Sequence, residues 1–126
     1  MSKAPGYENS PQHQIVEMPM EQTVRVFVGD QLVAESDEVV RVVEEGCPTR
    51  YYFPRAAVRT DLLERSDTAT RCPFKGVASY FTLSVAGERL LDAVWSYEEP
   101  YEEHRGLEQR LAFYTEKFPE MRVSAS

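Results

Sequence analysis

No run in this 126-residue chain approaches the roughly 20 consecutive apolar residues that a membrane-spanning helix needs, so a helical span is not expected. Cysteine and histidine are scarce, with two of each. A structural zinc site asks for four ligands, usually as closely spaced cysteine pairs. Cys47 and Cys72 stand 25 residues apart, and only His13 and His104 could join them. No metal and no other cofactor is therefore expected. The motifs of phosphate chemistry are missing as well: there is no Walker loop, no G-x-G-x-x-G and no GS-x-x-D-x-D. Nucleotidyl transfer needs carboxylates at D-x-D spacing to hold magnesium, and none are present. Positive charge is short too. Fourteen Lys and Arg face 21 Asp and Glu, and a net charge of −7 argues against general binding to nucleic acid or to anionic membranes. The opening "MSKAPGYENSPQ" has no apolar h-region, so the expected location is the cytoplasm, with both cysteines as free thiols.

What remains is a chain long enough for one modest core. Residues 1–12 are polar, with two prolines and no apolar period, and read as a disordered tail ahead of a single domain over 13–126. The charge is uneven: net −5 over residues 1–50, +2 over 51–80 and −4 over 81–126. The middle holds Arg55, Arg59, Arg65, Arg71 and Lys75. These either pair with acids elsewhere on the surface or make a local positive potential for a small anion.

Periodicity then points to strands. "TVRVFV" and "QLVAES" flank Gly29-Asp30 and form a hairpin, with Val24, Val26 and Val28 on one face. "EVVRVVEE" is a third strand and "RYYF" a fourth, stopped by Pro54. Asp61 to Arg65 favour a short helix with Thr60 as N-cap. From Val77 the odd positions to Val85 form a half-buried strand. Gly87-Glu88 turns it, as a II′ turn with glycine first, into "RLLDAVWSY", where Leu91, Ala93, Trp95 and Tyr97 share a face. "EEPYEEHRGLEQ" is a long charged, solvated loop with room for a helical turn. "RLAFYTEKF" is assigned as a strand on its aromatics, and "MRVSA" closes the chain. About eight short strands with tight turns and one short helix make a mainly β, antiparallel single domain.

Four motifs recur in a known order. "YYFPRAAV", "CPFKGVASYF", "AVWSYEEP" and "LAFY" resemble the signature of the domain of unknown function 427 family of small bacterial and fungal proteins, sometimes labelled nucleotidyltransferase-like. That signature runs YFPR-x-DV, CPYKG-x-A-x-Y, W-x-Y-x-x-P and AFY, and the likeness covers roughly Thr23 to Val123. Ala57 replaces the usual acidic residue, and Phe74 replaces a tyrosine. The resemblance implies a compact β-tent-like fold, similar in topology to zinc-bearing relatives such as methionine sulfoxide reductase B. Those relatives use paired-cysteine knuckles that this chain lacks, so what is implied is the fold without the metal. Fold alone does not fix function.

Candidate site residues cluster around "CPFKG". Cys72 lies between Arg71 and Lys75, and two cations favour a reactive thiolate. It is the candidate catalytic residue, with His104 the one histidine inside the folded region that could act as base. The other reading is a structural thiol packed under a turn. Lys75 and Gly76 can cradle an anion through charge and backbone N–H groups. Arg55 either offers its planar fork to a carboxylate or phosphate, or pairs with a strand carboxylate such as Asp92. Tyr52, Trp95, Tyr97 and Tyr114 are core residues or, by strand alternation, walls of a mixed aromatic and cationic pocket. The expected function is binding, or conversion, of a small anionic molecule in that pocket. The alternative is a protein-interaction module using the same aromatics as a flat exposed patch. No nucleic-acid or membrane partner is expected. An unpaired sheet edge could support a dimer, but no residue argues for one.

Overall fold

The structure is a computed structural model and describes residues 2–126. Its ten strands form three antiparallel sheets: β1 (Ile15–Pro19), β4 (Val40–Glu44) and β5 (Arg50–Tyr52) in the order β1-β4-β5; β2 (Val24–Val28), β3 (Gln31–Ser36) and β10 (Met121–Ala125) in the order β10-β2-β3; and β6 (Leu63–Cys72), β7 (Gly76–Val85), β8 (Glu88–Tyr97) and β9 (Ala112–Phe113) in chain order. This is a small, mainly β, antiparallel domain. No helix among the described residues is long and apolar enough to cross a membrane.

Two apolar clusters hold the sheets together, and the β7–β8 hairpin serves both. Because side chains alternate along a strand, Phe81, Leu83 and Val85 point to one face with Leu90 and Val94, against Val24, Val26 and Val28. Ala78, Trp95 and Tyr97 point to the other, against Val40, Val42, Tyr52 and Leu107. A bulge interrupts the ladder. Asp92 has φ +55 and the register shifts between Phe81 and Leu83, so Leu90 is buried while Leu91 is 57% exposed. The shared face expected for Leu91, Ala93, Trp95 and Tyr97 is thus broken at Leu91. β8 has two more residues than β7 between the Phe81–Val94 and Leu83–Leu90 pairs, so Leu90 and Val94 keep to one face while the residues between them leave the ladder.

The local expectations fare unevenly. The β2–β3 hairpin, β4, β5 and the β7–β8 hairpin stand where the pattern puts them. The β7–β8 turn is Ala86-Gly87 rather than Gly87-Glu88. Both residues have positive φ, +55 and +78, which is the type I′ arrangement and not II′. The helix expected over 61–65 is a single 3-10 turn, Thr60–Leu62, after another at Arg55–Ala57; Arg59 and not Thr60 occupies the N-cap position. The chain then enters β6, a ten-residue edge strand with no expected counterpart. Its Ser66 and Thr68 hydroxyls bond Asp92 at 2.5 and 2.6 Å, across the bulge. β1 is likewise unforeseen.

Residues 2–12, expected as a tail, pack on the "CPFKG" turn. Gly6–Asn9 forms one helical turn, and Ala4 is buried. Gly6 N–H donates to Pro73 O at 2.9 Å, and a Cβ at Gly6 would lie 2.7 Å from the Phe74 ring. Glycine is what permits that approach. The 100–107 segment is not a solvated loop throughout either. Its 3-10 stretch Glu102–Leu107 buries His104 and Leu107.

Candidate functional site

β6 and β7 are joined by Pro73, Phe74 and Lys75, with Cys72 paired to Gly76. The turn is gripped from several directions. Phe74 stacks on His13 with ring centres 4.3 Å apart and meets Tyr7 edge-on at 4.9 Å. Lys75 O accepts from Tyr101 N–H at 2.9 Å. Gly76 has φ +123, and its α-carbon faces Glu99 O and Pro100, so no side chain could be added there without strain. So held, the turn sends the Lys75 side chain inward. Its ammonium donates to Glu44 Oε1 at 2.7 Å, and only 9% of the side chain is exposed. Glu44 Oε2 lies 2.9 Å from His13 Nε2. Burial alone would push the Glu44 carboxyl up, but the hydrogen bonds from Lys75 and His13 outweigh it and hold the carboxyl below its ordinary value. An ionised carboxylate only accepts, so His13 Nε2 carries the proton.

Lys75 and Glu44 form one side of a concave cavity of about 160 Å³. Antiparallel pairing of Val42 with Arg50 puts Val42, Glu44, Arg50 and Tyr52 on one face of the β4–β5 pair. Opposite them stand Tyr80, Trp95 and Tyr97 of the β7–β8 hairpin, then Tyr114, with Cys47 and Pro48 also in the lining. Trp95 organises the aromatics. Its Nε1–H donates to the Tyr52 hydroxyl at 3.1 Å, and its ring meets Tyr114 edge-on at 5.5 Å. The Arg50 guanidinium sits 4.9 Å from the Trp95 ring centre and 5.4 Å from that of Tyr114, and both its terminal nitrogens donate to Glu116 at 2.6 and 2.7 Å. Lys75 Nζ is 5.8 Å from the Tyr97 ring centre. Burial pushes the Tyr52 and Tyr97 hydroxyls well above the ordinary tyrosine value, so both are protonated donors at neutral pH.

A family model described as a domain of unknown function (DUF427) matches residues 17–124. The chain belongs to this family. The matched stretch of the DUF427 domain contains every residue that lines the cavity, with His13 just outside it. A search of curated proteins finds no match.

Of the residues picked from the sequence, the DUF427 domain brings Tyr52, Lys75, Trp95, Tyr97 and Tyr114 together around one cavity. Arg55 is not with them. Its guanidinium bonds Gln109 O and the Ser96 hydroxyl, both at 2.9 Å, and lies 3.6 Å from Glu98. Ser96 alternates with Trp95 and Tyr97, so Arg55 is on the opposite face of the sheet. Nor does it pair with Asp92, which the Ser66 and Thr68 hydroxyls occupy. Gly76 acts through its backbone and is outside the lining. Cys72 is half-buried against the second apolar cluster, also outside the lining. His104, the expected base, is 3% exposed and has both ring nitrogens engaged, Nδ1 with Glu17 Oε2 and Nε2 with the Tyr7 hydroxyl, each at 2.7 Å. The residues the sequence reading missed are Glu44, Cys47, Arg50 and Tyr80. Arg50 had a signal: two positions before Tyr52 on a strand, it must share that residue's face.

The ion pairs have a pH consequence. Hydrogen bonds from Ser66 and Thr68 hold Asp92 below its ordinary value, as do those from Arg65 on Glu98 and Arg50 on Glu116; Glu44 is lowered as described. A carboxyl whose folded value is depressed stabilises the fold above its unfolded value and loses that contribution as pH falls through the folded one. The urea midpoint should therefore be flat from neutrality to about pH 5 and decline below it. A midpoint unchanged to about pH 3 would mean these contacts add nothing to stability.

Proposed function

We propose that this DUF427 domain binds a small anionic molecule in the cavity between the β4–β5 pair and the β7–β8 hairpin. One observation carries the reading: two cationic side chains, Lys75 and Arg50, converge with five aromatic ones on a single concave space. Concavity favours a small molecule over a flat protein-binding patch. The space is below the roughly 300–1,000 Å³ of drug-sized sites, which favours a compact ligand over a nucleotide. The faces of Trp95 and Tyr97 are already approached by resident cations, which disfavours a cationic guest in this aromatic box. Cys72 lies off the lining and both ring nitrogens of His104 are engaged, which favours binding over thiol chemistry. The β-tent topology and the cytoplasmic location belong to the same proposal. Three antiparallel sheets support the first, and two free cysteines, Cys47 exposed, support the second.

Trp95 is the single tryptophan of the chain and lines the cavity, so its fluorescence reports occupancy directly. Titration of the intact protein with benzoate, 1-naphthoate, phenyl phosphate and inorganic phosphate should give a saturable Trp95 response and a raised melting temperature with at least one of them. Tetramethylammonium should give neither. A response to the cation and to none of the anions would overturn the proposal.

A further inference from the structure

The cavity has spare donors, and its one carboxylate is already engaged. Tyr97 is 7% exposed and lines the cavity, yet its hydroxyl has no hydrogen-bond partner among the described residues. Tyr52 is fully buried; its oxygen accepts from Trp95, and its own proton has no acceptor among the described residues. An ammonium carries three N–H groups, and Glu44 takes one of those of Lys75. Both Glu44 oxygens are used, by Lys75 and His13. With these hydroxyl and ammonium protons free at the cavity and its one carboxylate engaged, a guest that brings acceptor atoms is favoured over one that brings donors.

Charge narrows the class. Lys75 is matched by Glu44, and Arg50 by Glu116, so the lined space offers surplus hydrogen-bond donors rather than surplus positive charge. A guest with one delocalised negative charge suits it. A phosphate dianion would bring two charges into a charge-balanced site beside the Glu44 carboxylate. Size narrows it again. The space of about 160 Å³ is close to the roughly 150 Å³ that accommodates one benzene ring in an apolar cavity. Walls formed by Tyr52, Trp95, Tyr97 and Tyr114 suit a planar ring.

We infer that the ligand of this cavity is a one-ring planar carboxylate, its ring held by the aromatic walls and its carboxylate by the Lys75 ammonium and the Tyr97 hydroxyl. The inference rests on the cavity being the ligand site, as proposed above. Tyr97 is then a specificity residue whose hydroxyl serves the ligand and not the fold.

The test measures benzoate, cyclohexanecarboxylate, 1-naphthoate and phenyl phosphate on the full chain by calorimetry, with Tyr97→Phe as the variant. Benzoate should bind most tightly, and 1-naphthoate and phenyl phosphate at least tenfold more weakly. Losing a hydrogen bond to a charged group should weaken benzoate about 10- to 100-fold in Tyr97→Phe. The same variant should melt no lower than the parent without ligand, since the hydroxyl has no partner in the protein to lose. Tight binding of phenyl phosphate or 1-naphthoate with no preference for benzoate would overturn the ligand class and leave the pocket reading standing. Absence of binding by all four, and by inorganic phosphate as well, would overturn both. Undiminished benzoate binding in Tyr97→Phe would overturn the role of that hydroxyl.

Discussion

Lys75→Met should lower the stability of the fold by about 3–5 kcal/mol, the usual cost of breaking a buried ion pair from one side. Methionine matches the length and much of the volume of the lysine stem, so packing is nearly kept. What is lost is the countercharge to Glu44, whose side chain is 12% exposed. The carboxylate would keep only His13 as a partner. The double variant Lys75→Met/Glu44→Leu should recover most of the loss, because replacing both members of a buried pair with apolar groups is often neutral or stabilising. His13, 21% exposed, can then turn to solvent. Urea unfolding of the parent, the single and the double variant decides the matter. Equal losses in the single and the double would mean that the cost does not come from the Glu44 charge left without its partner.

This ion pair also shows what the sequence could and could not reveal. Lys75 was legible as a residue of the cavity because it sits in a tight turn between strands, in a run with cysteine and glycine. Its partner was not. Glu44 lies 31 positions away on another sheet, and no local pattern encodes that pairing. Strands buried on one face announced themselves: Val24, Val26 and Val28, or Phe81, Leu83 and Val85, alternate with polar neighbours as the pleat requires. β6 did not. "LERSDTATRC" is an edge strand with nearly all its residues exposed, so neither face carries an apolar period, and Asp61 to Arg65 read as helix formers. Its charges and the Ser66–Asp92 bulge are the features that keep such an edge from pairing with other chains.

The arginine error has the same origin in reverse. Arg55 follows Pro54 beside a run of aromatics, and its case as a site residue rests on that proximity in sequence. Strand geometry ranks proximity second to parity. Arg50 shares parity with Tyr52, and the cross-strand pair Arg50–Val42 carries that face over to Glu44. Arg55 lies beyond the strand and falls on the face of Ser96. The N-terminal segment departs from its expected disorder for a different reason. Its composition is that of a disordered chain, and what orders it is a few contacts to distant residues: Gly6 against Phe74, Tyr7 on His104, His13 on Glu44.

Trp95→Ala should cost about 3–5 kcal/mol, the range for removing a large aromatic from a core, while Trp95→Phe should cost markedly less. Trp95 is 7% exposed and sits at the centre of the site's geometry. Its backbone pairs with Tyr80 on one side and Ala112 on the other. Its N–H satisfies the buried Tyr52 hydroxyl, and its ring faces Tyr114 and Arg50. Alanine would leave a void among these groups and remove the platform on which the Arg50–Glu116 pair is laid. Phenylalanine keeps a ring for Tyr114 and Arg50 and loses chiefly the bond to Tyr52, worth about 0.5–1.5 kcal/mol. The ordering of the two variants in urea unfolding tests whether Trp95 belongs to the core or only screens it. Near-equal, small losses would make it a movable cover. A steep loss for alanine alone would mean that the cavity's wall is part of the core, so its shape is set on folding, and a ligand meets a preorganised site rather than having to form one.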